Sequence, residues 1–214
     1  MWPILDKYQQ DGYQSMIETI GLCVKTYGQD NTNYYDLGAS TGATSVALGI
    51  NNPHANNRII AVDNSPSMVK KCKHNLDEKL DNTDVICADI SAIDLDNASV
   101  VVLNLTLQFI APENRQALID KIYQGLNKGG VLIVSEKIHF NNESKQQLMT
   151  DLHLDFKRAN GYSELEIAAK RQSIENVLIT DDKKTHFQRF NKAGFNISTC
   201  HFQCLNFASF LTVK

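Results

Sequence analysis

The stretch Tyr34-Tyr35-Asp36-Leu37-Gly38-Ala39-Ser40-Thr41-Gly42-Ala43 constrains the fold more than any other part of the chain. A short apolar-aromatic run reaches an acid, passes through a glycine turn and continues as Thr44-Ser45-Val46-Ala47-Leu48-Gly49-Ile50, which reads as the opening of a helix. Aromatic and β-branched residues favour strands, while glycine permits the tight turn and close backbone approach of a ligand loop. The unit is strand, turn, helix. Two glycines four apart also occur in ordinary turns, so the turn needs support from the rest of the chain.

That support comes from the strands that follow. Arg58-Ile59-Ile60-Ala61-Val62-Asp63-Asn64 closes on a carboxylate 25 residues after Gly38, where a nucleotide fold places the acid that accepts ribose hydroxyls. Asp63 is therefore the candidate ribose ligand. A third strand, Asp84 to Ala88, ends at Asp89, and a fourth, Val100 to Leu103, ends at Asn104. Asp89 stands where such sheets read an adenine edge, with a plain loop acid as the equal alternative. Dinucleotide enzymes need G-x-G-x-x-G to cradle a pyrophosphate, and this turn is G-x-x-x-G with Asp36 two positions before it. A carboxylate there repels phosphate and favours an ammonium or sulfonium group. The arrangement is similar to that of S-adenosylmethionine-dependent transferases.

Helices alternate with these strands. Met16, Ile17, Ile20, Cys23 and Val24 have helical spacing, as do Met68, Val69, Cys72 and Leu76 after Ser65-Pro66. A helix from Pro112 is expected to stop at Gly129-Gly130, before a strand over Val131 to Val134. The rhythm predicts an α/β, doubly wound, mostly parallel seven-stranded sheet with an antiparallel last strand. One domain over 1–214 is expected, with 141–191 as a helical cap inserted before the final strand pair.

Composition excludes several classes. A net charge of −3 and a pI near 6.1 give no broad basic surface, so direct nucleic-acid binding is not expected. The five cysteines form no C-x-x-C pair, which fits a reducing cytoplasm and no zinc or other metal; Cys87 and Cys200 read as small buried hydrophobes. No run approaches the roughly 18 apolar residues of a membrane span. Residue type and spacing leave Tyr13 between a packed aromatic and a ring over the ligand. They leave Arg171 between a solvated helix charge and a guanidinium fork on a carboxylate.

The runs YDLGAS, AVDNSPSM, VVLNLTLQF, LIDKIYQGLNKGG, SEK, DFKRANGYSELEI and ENVLITD, spread from Tyr34 to Asp181, resemble the carboxy-S-adenosyl-L-methionine synthases. The resemblance implies the S-adenosylmethionine methyltransferase fold, with no metal. It implies ligand contacts at Tyr13, Gly38, Ala39, Ser40, Asp63, Asn64, Asp89, Ile90 and Asn104, and an Arg171 that reaches the new carboxylate from the neighbouring subunit of a homodimer. The implied reaction converts S-adenosyl-L-methionine and prephenate into carboxy-S-adenosyl-L-methionine and phenylpyruvate. A tRNA-modifying carboxymethyltransferase would then use the product at the wobble uridine. An ordinary methyltransferase acting on a small molecule or RNA, and a non-catalytic cofactor-binding module, are the alternatives. Two departures stand out: the family usually has cysteine where this chain has Ala39, and relatives normally carry an additional segment ahead of Trp2-Pro3.

Overall fold

The apolar runs that end in polar residues become neighbouring strands, because the central ones are buried on both faces and pair along both edges. In the computed structural model, residues 10–174 and 177–214 are described, the side chains of Gln10, Asp11, Lys170, Arg171, Ser173 and Ile174 excepted. Helix α1 (Gln10–Tyr27) leads into β1 (Asn33–Leu37), α2 (Ala43–Ile50), β2 (Arg58–Asp63), α3 (Pro66–Asp77), β3 (Thr83–Cys87) and β4 (Ala98–Asn104). A 3-10 turn (Leu107–Phe109) precedes α4 (Pro112–Gly125) and β5 (Leu126–Lys137). Then come α5 (Glu143–Ala159), α6 (Glu164–Ile174), α7 (Lys183–Ala193), β6 (Ile197–Cys204) and β7 (Phe207–Val213).

The strands form one sheet in the order β3-β2-β1-β4-β5-β7-β6. The first five are mutually parallel, and β7 runs antiparallel between β5 and β6. This is the doubly wound sheet with an antiparallel last strand that the alternation predicts. At its centre β4 is fully buried from Ala98 to Leu103, and alternate residues serve opposite faces. Val100 and Val102 pack with Met16, Ile20, Val24 and Leu48 of α1 and α2. Val101 and Leu103 pack with Leu118, Ile119 and Ile122 of α4 and with Phe190 of α7. The sheet is thus covered on both sides, as parallel strands require.

Two expectations are corrected. Helix α4 ends at Gly125, not at Gly129-Gly130. A Cβ at Gly125 would lie 2.4 Å from the Leu95 carbonyl, so the close contact with that loop falls here. Gly129, with φ +79, instead shapes an irregularity between the pairs Ala98↔Leu126 and Val100↔Val131. Its N–H meets the Lys214 carbonyl at 2.9 Å. Cys87 is exposed, because β3 is the outer strand of the sheet.

Within 141–191 the three helices differ in role. Helix α7 is capped by the Asp182 carboxylate, which accepts the Thr185 N–H at 2.7 Å, and buries Phe190 against Phe195 and Phe210. It packs beside α4 as a core crossover. Helix α5 is capped by Asn142 and buries none of its side chains, and Arg158 ties it to α6 through Glu164. These exposed pairs are weak. Replacing Phe190 by alanine is expected to lower the unfolding free energy by about 3–5 kcal/mol, measured by urea denaturation.

Candidate functional site

Every polar residue singled out at a strand end lies at the carboxyl edge of the parallel strands, where open α/β sheets bind ligands. The glycine turn is built by left-handed backbone at Gly38 (φ +85), Ser40 (φ +51) and Gly42 (φ +89). Glycine is needed at 38 for a second reason. A Cβ there would stand 2.3 Å from Thr106 Oγ1, so the turn can close on the loop after β4 only without a side chain. The Gly38 and Ala39 N–H groups both reach the Val62 carbonyl, at 2.8 and 2.9 Å, which binds the turn to β2. Ala39 itself is buried against Ala61, Cys72 and Leu76.

The turn also fixes Asp63. Its Oδ2 accepts the Ser40 N–H and its Oδ1 the Ser65 N–H, each at 2.9 Å. A carboxylate held from both sides keeps lone pairs on each oxygen for a vicinal diol. Asn64 follows on the surface. At the next strand end Ala88 N–H bonds the Asp63 carbonyl at 3.1 Å, which ties the strand end that carries Asp89 to Asp63. Asp89 Oδ1 takes the N–H and hydroxyl of Ser91 at 2.8 and 2.7 Å. These bonds hold its carboxyl below the ordinary carboxylate range. Ile90 turns inward to the core. Tyr13 sits in the first turn of α1, half-buried against the cluster on that face.

Two acceptors are left over beneath the turn. Asp36 is buried at the end of β1, where Ser45 donates its hydroxyl to Oδ2 at 2.6 Å. Asn104, at the end of neighbouring β4, donates Nδ2 to Thr44 Oγ1 at 3.1 Å. Asp36 Oδ1 and Asn104 Oδ1 are buried without a hydrogen-bond partner among the described residues. Buried acceptors are normally satisfied. An ammonium group would supply the missing donors and charge, so these two acceptors fit a cationic group such as the amino-acid end of a sulfonium nucleoside. Burial pushes the Asp36 carboxyl up to about 6, against the pull of Ser45.

Sequence reading took Thr44 and Ser45 only as a helix opening, yet their hydroxyls orient the two acceptors. Two adjacent hydroxyls in the first turn of ATSVALGI were the available signal. Thr106, which fills the space beside Gly38, had none. Arg171 lies on α6, and its side chain is outside the described residues, as is any contact it makes.

Comparison with known proteins bears on the same stretch. A family model described as a methyltransferase domain matches residues 35–130. A carboxy-S-adenosyl-L-methionine synthase of Ruthia magnifica subsp. Calyptogena magnifica is 74% identical over 94% of this chain and 85% of its own length. The Escherichia coli O127:H6 protein of that name is 48% identical over 100% of this chain and 87% of its own. Among solved structures, magnesium protoporphyrin IX methyltransferase of Synechocystis, with bound S-adenosylmethionine, matches with a TM-score of 0.63 at 12% identity, covering 95% of this chain and 80% of that one. An O-methyltransferase family 2 protein of Planctomyces limnophilus, complexed with apigenin, gives a TM-score of 0.63 at 16% identity, over 86% and 50%. At those identities the structures establish the fold.

A ligand bearing an ammonium or sulfonium favours ionised Asp36, whose carboxyl stands at about 6 in the free protein. Below that pH binding must first expel a proton. Affinity for S-adenosylmethionine is expected to be level between about 6 and about 8, where the ligand's own ammonium begins to lose its proton, and to fall by up to about tenfold per pH unit beneath about 6. Asp36→Asn should bind weakly and without that dependence, both read by isothermal titration calorimetry.

Proposed function

The chain belongs to the carboxy-S-adenosyl-L-methionine synthases, and on that premise we propose that prephenate is the carboxyl donor for S-adenosyl-L-methionine. The observation that carries this reading is the 74% identity over 94% of the chain with a synthase of that name. The two unpartnered acceptors under the glycine turn support it, since they suit the cationic amino-acid end of the first reactant.

The reaction balances without a protein nucleophile. Prephenate aromatises to phenylpyruvate by losing its ring carboxylate as carbon dioxide and its ring hydroxyl as hydroxide. The sulfonium acidifies its own methyl group, hydroxide takes a methyl proton to become water, and the methyl carbon bonds the carbon dioxide. The product is carboxy-S-adenosyl-L-methionine, which carries a carboxylate where the methyl had a hydrogen. The protein's part is to hold both reactants together, keep water from the ylide and stabilise the carboxylates.

Arg171 supplies the guanidinium for the new carboxylate, reaching from the neighbouring subunit of a homodimer. Exposed Leu148 and Leu152 on α5 and Leu165 on α6 support an assembly that covers this helical region. The product then serves a tRNA-modifying carboxymethyltransferase in the cytoplasm, a setting that suits the five free cysteines. No described helix is long and apolar enough to cross a membrane.

Incubation with S-adenosylmethionine and prephenate is expected to release phenylpyruvate and to yield a nucleoside heavier than the substrate by one carbon dioxide, read by mass spectrometry. S-adenosylhomocysteine formed on an added acceptor would mark an ordinary methyltransferase, and turnover of neither reactant would leave a binding module. Arg171→Ala is expected to weaken carboxy-S-adenosyl-L-methionine binding by about 2–5 kcal/mol while adenosine binding persists. Equal discrimination by variant and parent would remove Arg171 from this role.

A further inference from the structure

Glu136 closes the otherwise apolar run of β5 and is 1% exposed. Its Oε1 accepts the N–H groups of Thr106 and Leu107 at 3.2 and 2.7 Å, and its Oε2 accepts that of Gln108 at 3.0 Å. From the other side Arg115, also 1% exposed, donates Nε to the Ile110 carbonyl at 2.8 Å and Nη2 to the Gln108 carbonyl at 3.3 Å. Its remaining donors reach the Ile179 carbonyl at 2.8 Å and the Asp181 carboxylate at 2.7 Å. Asp181 is shared with Arg189 at 2.9 Å. The loop after β4 therefore has its N–H groups on a buried carboxylate and its carbonyls on a buried guanidinium.

Such groups are costly to bury: desolvation pushes the Glu136 carboxyl up to about 8 against the pull of the three N–H bonds it accepts, while Arg115 keeps its donors on carbonyls and on Asp181. The loop they hold is itself strained, with Leu105 in left-handed backbone at φ +57. It borders the ligand site twice. Asn104, with its unpartnered oxygen, immediately precedes the loop, and the Thr106 side chain fills the space that forbids a Cβ at Gly38. Asp63 ends β2, Asp89 follows β3, and neither receives any of these bonds.

We infer that Glu136 is a positioning residue for the amino-acid end of S-adenosylmethionine, acting through the Asn104–Gln108 backbone, with Arg115 as its counterpart on the carbonyl side. The inference rests on the proposed function and adds a division of labour to it. The adenosine half is held by β2 and β3, and the methionine half by a loop that Glu136 shapes.

Glu136→Gln keeps the size but sets an NH2 group against a backbone N–H, so at least one bond is lost and the loop must shift. Calorimetric titration of the folded variant, checked by circular dichroism, should show the dissociation constant for S-adenosylmethionine raised about tenfold or more, with that for adenosine within about twofold. A purely structural role would weaken both alike. If Glu136→Gln does not fold, Asp181→Asn, which loosens Arg115 from its far side, should show the same asymmetry. Equal loss for both ligands, or none for either, overturns the inference while leaving the proposed function standing. Parent protein that binds adenosine but not S-adenosylmethionine overturns the proposed function and the inference with it.

Discussion

Carboxylates that accept backbone N–H groups hold the carboxyl edge of this sheet in shape. Asp63 takes the N–H of Ser40 from the turn before it and that of Ser65 from the turn after it. Glu136 takes three successive N–H groups from the loop after β4, and Asp89 takes that of Ser91. Parallel strands end in loops whose N–H groups have no partner strand, and buried donors without acceptors are costly. Acids at strand ends satisfy them without adding another strand. The half-buried Asp63 and the exposed Asp89 also give that edge negative charge, which suits a cationic nucleoside and repels phosphate.

In the proposed reaction the two reactants supply the bonds that break and form, so the chain's contribution is placement. The base of the site is accordingly tied down by hydrogen bonds and close packing. Ser45 and Thr44, adjacent on α2, each fix a different strand-end acceptor, and Gly38 lets the turn close on Thr106. Small displacements of any of these would misplace the sulfonium relative to a second reactant.

Much of the fold was readable from the order of residues because apolar runs ending in Asp63, Asp89 and Asn104 carry both the strand period and the edge. The end of α4 was not, since Gly125 and Gly129 look alike in sequence and only the nearness of Leu95 separates them. Cys87 misled for a similar reason: an apolar run does not say which strand lies outermost. Asp63, the candidate ribose acid, was marked by its spacing from Gly38. Thr106, Glu136 and Arg115 were not, because apart from the Asp181 carboxylate on Arg115 their partners are main-chain groups brought close by the tertiary fold, and main-chain groups leave no trace in a sequence pattern.

The position of β7 between β5 and β6 has a bearing on how the chain folds. Val131 to Val134, fully buried in the finished sheet, pair with Val213 to Phe210, about eighty residues later in sequence. Closing so long a stretch costs chain entropy before the pairing rewards it, so this side of β5 is a slow part of the sheet to form. Until β7 is seated, β5 presents an open, strongly apolar edge, a ready template for mispairing with another chain.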